Sequence, residues 1–67
     1  MSRVQTSKQA LEIARDFLET AGVSFNVITK KMDQKETWLV EATTMMGVYR
    51  IIINKETGEV LEYGSIE

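Results

Sequence analysis

The chain has no cysteine and no histidine. The first absence removes disulfide stapling. Together they leave only carboxylates as metal ligands, a set zinc rarely uses. Acid–base catalysis near neutral pH leans on histidine or on a carboxylate with a shifted pKa. Here the carboxylates fall on a helix's outer face, in turns or at edges, where solvated charge is the expected role. Ser24 and Ser65 have no histidine, and no lysine at a motif spacing, to activate them. The four glycines, at 22, 47, 58 and 64, are dispersed and form no phosphate-cradling loop. Glu56, Glu59 and Glu62 do not make a calcium loop. No catalytic residue, metal site or cofactor is expected, and the chain is not read as an enzyme.

A strong positive field is also missing. Eight basic against ten acidic residues give a net charge of −2 and a pI near 5.1, which argues against general nucleic-acid binding. Lys30, Lys31 and Lys35 are the only basic cluster. They support at most a weak nucleic-acid contact, and a solvated hairpin loop is the plainer reading. Apolar runs fall well short of the roughly 20 residues of a membrane span, so no membrane partner is expected. The opening MSRVQTSKQ has no apolar signal core; with Met1 as the start, the expected location is cytoplasmic.

What remains is a single small domain over residues 1–67. A chain this size buries only about 60% of its unfolded surface, and without staples it needs a well-packed core or a partner copy. Residues 1–5 show no pattern and read as a frayed end. Thr6 and Gln9 have the spacing of a capping box. From there Ala10, Leu11, Ile13, Ala14, Phe17, Leu18 and Ala21 line one side of a helix predicted over Ser7–Ala21. The alanines on that stripe allow close approach to a flat partner, and Gly22 sits where a left-handed C′ residue is wanted.

Val23, Phe25 and Val27 alternate with polar residues as a strand does, with a phase change at Val27-Ile28 that suggests a bulge. Lys30 to Lys35 read as a polar link. Glu36–Thr44, Val48–Asn54 and Glu59–Tyr63 form three further strands. With Met46-Gly47 as a two-residue turn, Ala42 faces Ile51 and Val40 faces Ile53. The Asn54–Gly58 loop puts Ile53 opposite Val60 and Leu61 opposite Ile52.

The predicted fold is α+β, one N-terminal helix on a four-stranded antiparallel meander in the order α-β-β-β-β. Its core is expected to hold Leu11, Ala14, Phe17, Leu18, Phe25, Val27, Trp38, Val40, Tyr49, Ile51, Ile53 and Val60. Trp38, in phase with Val40 and Ala42, is read as core rather than as a stacking platform. The opposite sheet face carries Leu39, Met45, Val48, Ile52, Leu61 and Tyr63, interrupted by Glu41 and Arg50. One helix cannot cover both faces. That face, with Met45-Met46 beside the turn, is the candidate interaction surface, and self-association as a homodimer is the expectation.

An alanine-spaced helix (Ala10–Ala14), Trp38-Leu39-Val40, Tyr49-Arg50-Ile51-Ile52-Ile53-Asn54 and Thr57-Gly58-Glu59-Val60 together resemble the PepSY domain over nearly the whole chain. Asn54 stands where that family usually has aspartate. The resemblance implies a small, non-catalytic α+β module. It also implies a role in peptidase inhibition or protein interaction, since such domains occur in metallopeptidase propeptides and in membrane or cell-surface proteins. An intracellular peptidase inhibitor or regulator is therefore the alternative function. A looser likeness is to small gas-vesicle accessory proteins.

Overall fold

The computed structural model describes residues 3–23 and 26–66. A helix, α1 (Ser7–Thr20), is followed by strands β1 (Asn26–Asp33), β2 (Thr37–Thr44), β3 (Gly47–Asn54) and β4 (Val60–Ser65). The strands form one antiparallel sheet in the order β1-β2-β3-β4, so every connection is a hairpin. This is the expected α+β meander.

Both helix ends are closed by the residues that forecast them. The Thr6 side chain accepts from the Gln9 amide at 3.2 Å, and the Gln9 side chain accepts from the Thr6 amide at 3.1 Å. At the other end Gly22, at φ 86°, donates to the Glu19 carbonyl and Val23 donates to the Leu18 carbonyl. Those are the two bonds of a Schellman motif, which needs the left-handed residue that glycine supplies without strain. The buried stripe is Ala10, Ala14 and Leu18, with Ile13 packed beside it. Two alanines bring the helix backbone close to the sheet.

Under the helix lie Trp38, Val40, Ala42, Ile51 and Ile53, all buried. They come from alternate positions of the two central strands, which have the most neighbours. Phe17 and Tyr49 are only half-buried, and Val60 packs at the margin of the core. Phe25 lies outside the described residues.

Four expectations are corrected. The first concerns residues 3–5 of the expected frayed end, which are tied down. The Arg3 and Val4 amides both donate to the Lys55 carbonyl, at 2.9 and 3.0 Å, and the Trp38 indole donates to the Val4 carbonyl at 3.0 Å. Val4 is 1% exposed and belongs to the core. Lys55 also holds its ammonium 5.4 Å from the centre of the Trp38 ring and pairs with Asp33. A lone valine in a polar segment has no periodicity to announce it.

The second correction is the β2–β3 register. Thr44 pairs with Gly47, so the turn is Met45-Met46, and Val40 lies opposite Ile51 rather than Ile53. The Thr44 hydroxyl fixes this choice, accepting from the Met46 amide and donating to the Gly47 carbonyl. A shift of two residues leaves every side chain on its expected face.

The third correction is β1. It begins at Asn26 and runs through Lys30 to Asp33, residues expected to be a link, with a bulge between Ile28 and Lys30. Val27 therefore pairs with Thr43 on the open face and is 48% exposed, while Ile28 packs on the core.

The fourth is a second bulge, in β4. The Asn54 loop closes as expected, its side chain accepting from the Glu56 and Thr57 amides, and Ile53 pairs with Val60. Ile52 then pairs with Glu62, so Leu61 is the extra residue and has no partner.

The Val4 anchor carries a test. Val4→Ala removes buried methyl groups and leaves a cavity, at a cost of about 2–3 kcal/mol. Thermal unfolding followed by circular dichroism should show a midpoint lowered by roughly 10 °C. An unchanged midpoint would return the segment to a frayed end.

Candidate interaction surface

The face of the sheet away from α1 follows from the three ladders. One row is Met32–Leu39–Ile52–Glu62, the next is Lys30–Glu41–Arg50–Gly64, and the third is Val27–Thr43–Val48. Ile66 extends the third row, its amide donating to the Val48 carbonyl at 3.0 Å. Two apolar rows thus flank one charged row.

Leu39 sits on this open face yet is only 9% exposed. Its cross-strand neighbours Met32 and Ile52 stand on either side of it, at the spacing where large side chains touch. Ile52 and Val48 are half-buried. In the charged row Lys30 lies beside Glu41 and Glu41 beside Arg50, so neighbouring strands carry opposite signs. The Arg50 guanidinium passes the side chain-free position of Gly64 to reach Glu62 at 3.5 Å. Both partners are half-exposed, so the pair contributes little to stability.

Of the seven residues expected on this surface, Leu39, Val48 and Ile52 are there. Met45 and Met46 form the tip of the β2–β3 turn, 81% and 83% exposed. Leu61, 52% exposed, occupies the bulge, where the pairing assigns it to neither face. Tyr63 is on the wrong side. The β4 bulge reverses the alternation after Leu61, so Tyr63 pairs with Ile51 on the helix side. Its ring meets Phe17 edge-on at 4.9 Å and stacks on Tyr49 at 5.2 Å. The pairing of β1 adds Val27, before its bulge, and Met32, after it, to the open face, which sequence reasoning missed. An extra residue inside a strand leaves no local mark, so only the phase change at Val27-Ile28 hinted at either bulge.

Among the described residues no three acidic side chains gather as metal ligands could. Lys30 faces the open side, Lys31 faces the other, and Lys35 is in the β1–β2 loop, so the three lysines do not make one basic face. A shallow groove between α1 and the β3–β4 turn has Val4 and Ile13 among its lining, with Arg3, Glu12 and Asp16. Its charges are mixed and nothing converges in it. No helix among the described residues is long and apolar enough to cross a membrane.

Tyr63 gives a second test. Burial, and then the neighbouring Tyr49, raise its pKa above the ordinary 10.0. A group whose folded pKa is raised contributes stability that is whole below its unfolded pKa and is lost as pH rises through the folded one. Denaturation midpoints between about pH 9 and pH 11 should therefore fall more steeply for the native chain than for Tyr63→Phe. Parallel declines would put Tyr63 back on an open face.

Neither a curated protein nor a solved structure matches the chain. A family model does, from Val4 to Tyr63: PepSY, described as the peptidase propeptide and YPEB domain. The matched span starts at the buried valine and ends at the tyrosine under the helix. It takes in the Trp38, Tyr49–Asn54 and Thr57–Val60 motifs, which here serve core and turns. The PepSY resemblance is the one upheld, and with it the coarse reading of a regulatory or inhibitor-like module of the propeptide type. By sequence over nearly its whole length, and by a helix-on-meander fold consistent with it, the chain belongs to the PepSY family.

Proposed function

We propose that this domain is a non-catalytic protein-interaction module that associates with a second copy of itself through the open sheet face. The observation that carries the reading is the pair of apolar rows, Met32–Leu39–Ile52 and Val27–Val48–Ile66, on a face that α1 leaves uncovered. Apolar rows gathered on one face of a small domain, with nothing in the chain to cover them, mark a contact site. The strand edges are poorer candidates. Both edge strands, β1 and β4, are bulged, and β1 carries Lys30 and Lys31, which is how sheets discourage edge-to-edge pairing. Four strands of about 4.8 Å spacing and eight residues of about 3.3 Å rise give a face of roughly 500 Å². That is below the usual contribution of about 800 Å² per partner, so the dimer is expected to be weak, dissociating at micromolar concentration.

Sedimentation equilibrium across that range should show a reversible monomer–dimer transition. Ile52→Asp, whose fold is checked by circular dichroism, should abolish it, and Val48→Lys should do the same. A monomer at the highest soluble concentration, unaffected by either change, ends the proposal.

A second reading rests on the family match alone: regulation of a peptidase by the same module. Its test is a panel of metallopeptidase assays at stoichiometric excess of the domain. Inhibition of at least one enzyme is expected on this reading, and none across the panel removes it.

A further inference from the structure

We infer that the two copies stack face to face about a two-fold axis running along the strands, with Glu41 of each copy meeting Arg50 of the other. The inference rests on the self-association just proposed and adds its geometry. Two sheets packed in the aligned manner keep their strand directions within about 30° of each other. A two-fold axis lying between them then has two choices. Placed across the strands, it sets each strand on its own counterpart, which puts Lys30 on Lys30, Glu41 on Glu41 and Arg50 on Arg50. Placed along the strands, midway between β2 and β3, it reverses the strand order, so β1 covers β4 of the second copy and β2 covers β3.

The charged row decides between them. Reading across the sheet it runs Lys30, Glu41, Arg50, with Glu62 standing beside the empty Gly64 position. Positive and negative alternate, so reversing the order sets each sign against its opposite. Glu41 faces Arg50 twice, and Lys30 lies over Gly64 with Glu62 one pair along. The same rotation leaves each row on its own level. Leu39 therefore packs on Ile52 of the second copy, and Thr43 on its Val48. The axis across the strands sets like charge on like charge at Lys30, Glu41 and Arg50, in an interface whose centre is normally depleted of charge. Charged pairs of this kind contribute to the choice of partner and orientation more than to affinity.

The test mixes the native chain with the double reversal Glu41→Lys/Arg50→Glu, which native mass spectrometry separates from it by mass. Stacking along the strands keeps opposite signs facing in each homodimer and sets like signs together twice in the mixed dimer. Both species alone should therefore dimerise, and in an equimolar mixture the mixed dimer should fall at least about tenfold below its statistical share. The axis across the strands reverses this, since only the mixed dimer then faces opposite signs. Circular dichroism checks folding, and Glu41→Arg/Arg50→Asp provides a second variant if the first is unfolded. A mixed dimer at or above its statistical share, or a folded double reversal that stays monomeric while the native chain dimerises, overturns the axis and leaves self-association standing. A native chain that remains monomeric overturns both.

Discussion

A single fourteen-residue helix can shield one face of a four-stranded sheet and no more. Most of the architecture follows from that constraint. The central strands place Trp38, Val40, Ala42, Ile51 and Ile53 under α1, and the alanines of the helix bring it close enough to seal them. Apolar side chains on alternate residues of β2 and β3 must then stand on the far side. Leu39 is nearly buried there, with Met32 and Ile52 as its cross-strand neighbours.

The helix is also too short to close the core at the β3–β4 end of the sheet. Val4 and Lys55 finish it. Val4 fills the space beside Ile13 and Gly58, where the chain turns at φ 78°. Its carbonyl meets the Trp38 indole, and the Lys55 side chain lies over the Trp38 ring. A cation over indole and an indole hydrogen bond are each modest, of order 1 kcal/mol. Their value lies in satisfying a buried N–H while keeping water from the ring.

What could be read beforehand was whatever chemistry writes locally. Thr6 and Gln9 marked the helix start, Gly22 its end, and Asn54 with Gly58 the loop that sets Ile53 against Val60. Period-two alternation assigned β2 and β3 to their faces, and this survived a wrong turn assignment because the error was two residues. The illegible parts were single-residue events. The bulges at Thr29 and Leu61 exchange faces downstream, which turned Met32 outward and Tyr63 inward. Val4 is one apolar residue among polar ones, buried where Lys55, fifty-one positions later, bonds to its backbone. For the open surface, the sequence therefore disclosed the central pair Leu39 and Ile52 but not its margins in β1.

The Val4–Lys55 clasp has a mechanical side. It anchors the start of the domain at the Asn54 end of β3, whereas β4 finishes beside Val48 and Tyr49 at the opposite end of the same strand. The body is 35 Å along its longest dimension. Pulling on the two ends would therefore draw first on the backbone bonds between Val4 and Lys55. Beyond Lys55 the load runs along the covalent β3–β4 loop into β4, and the ladder between those strands lies off the line of force.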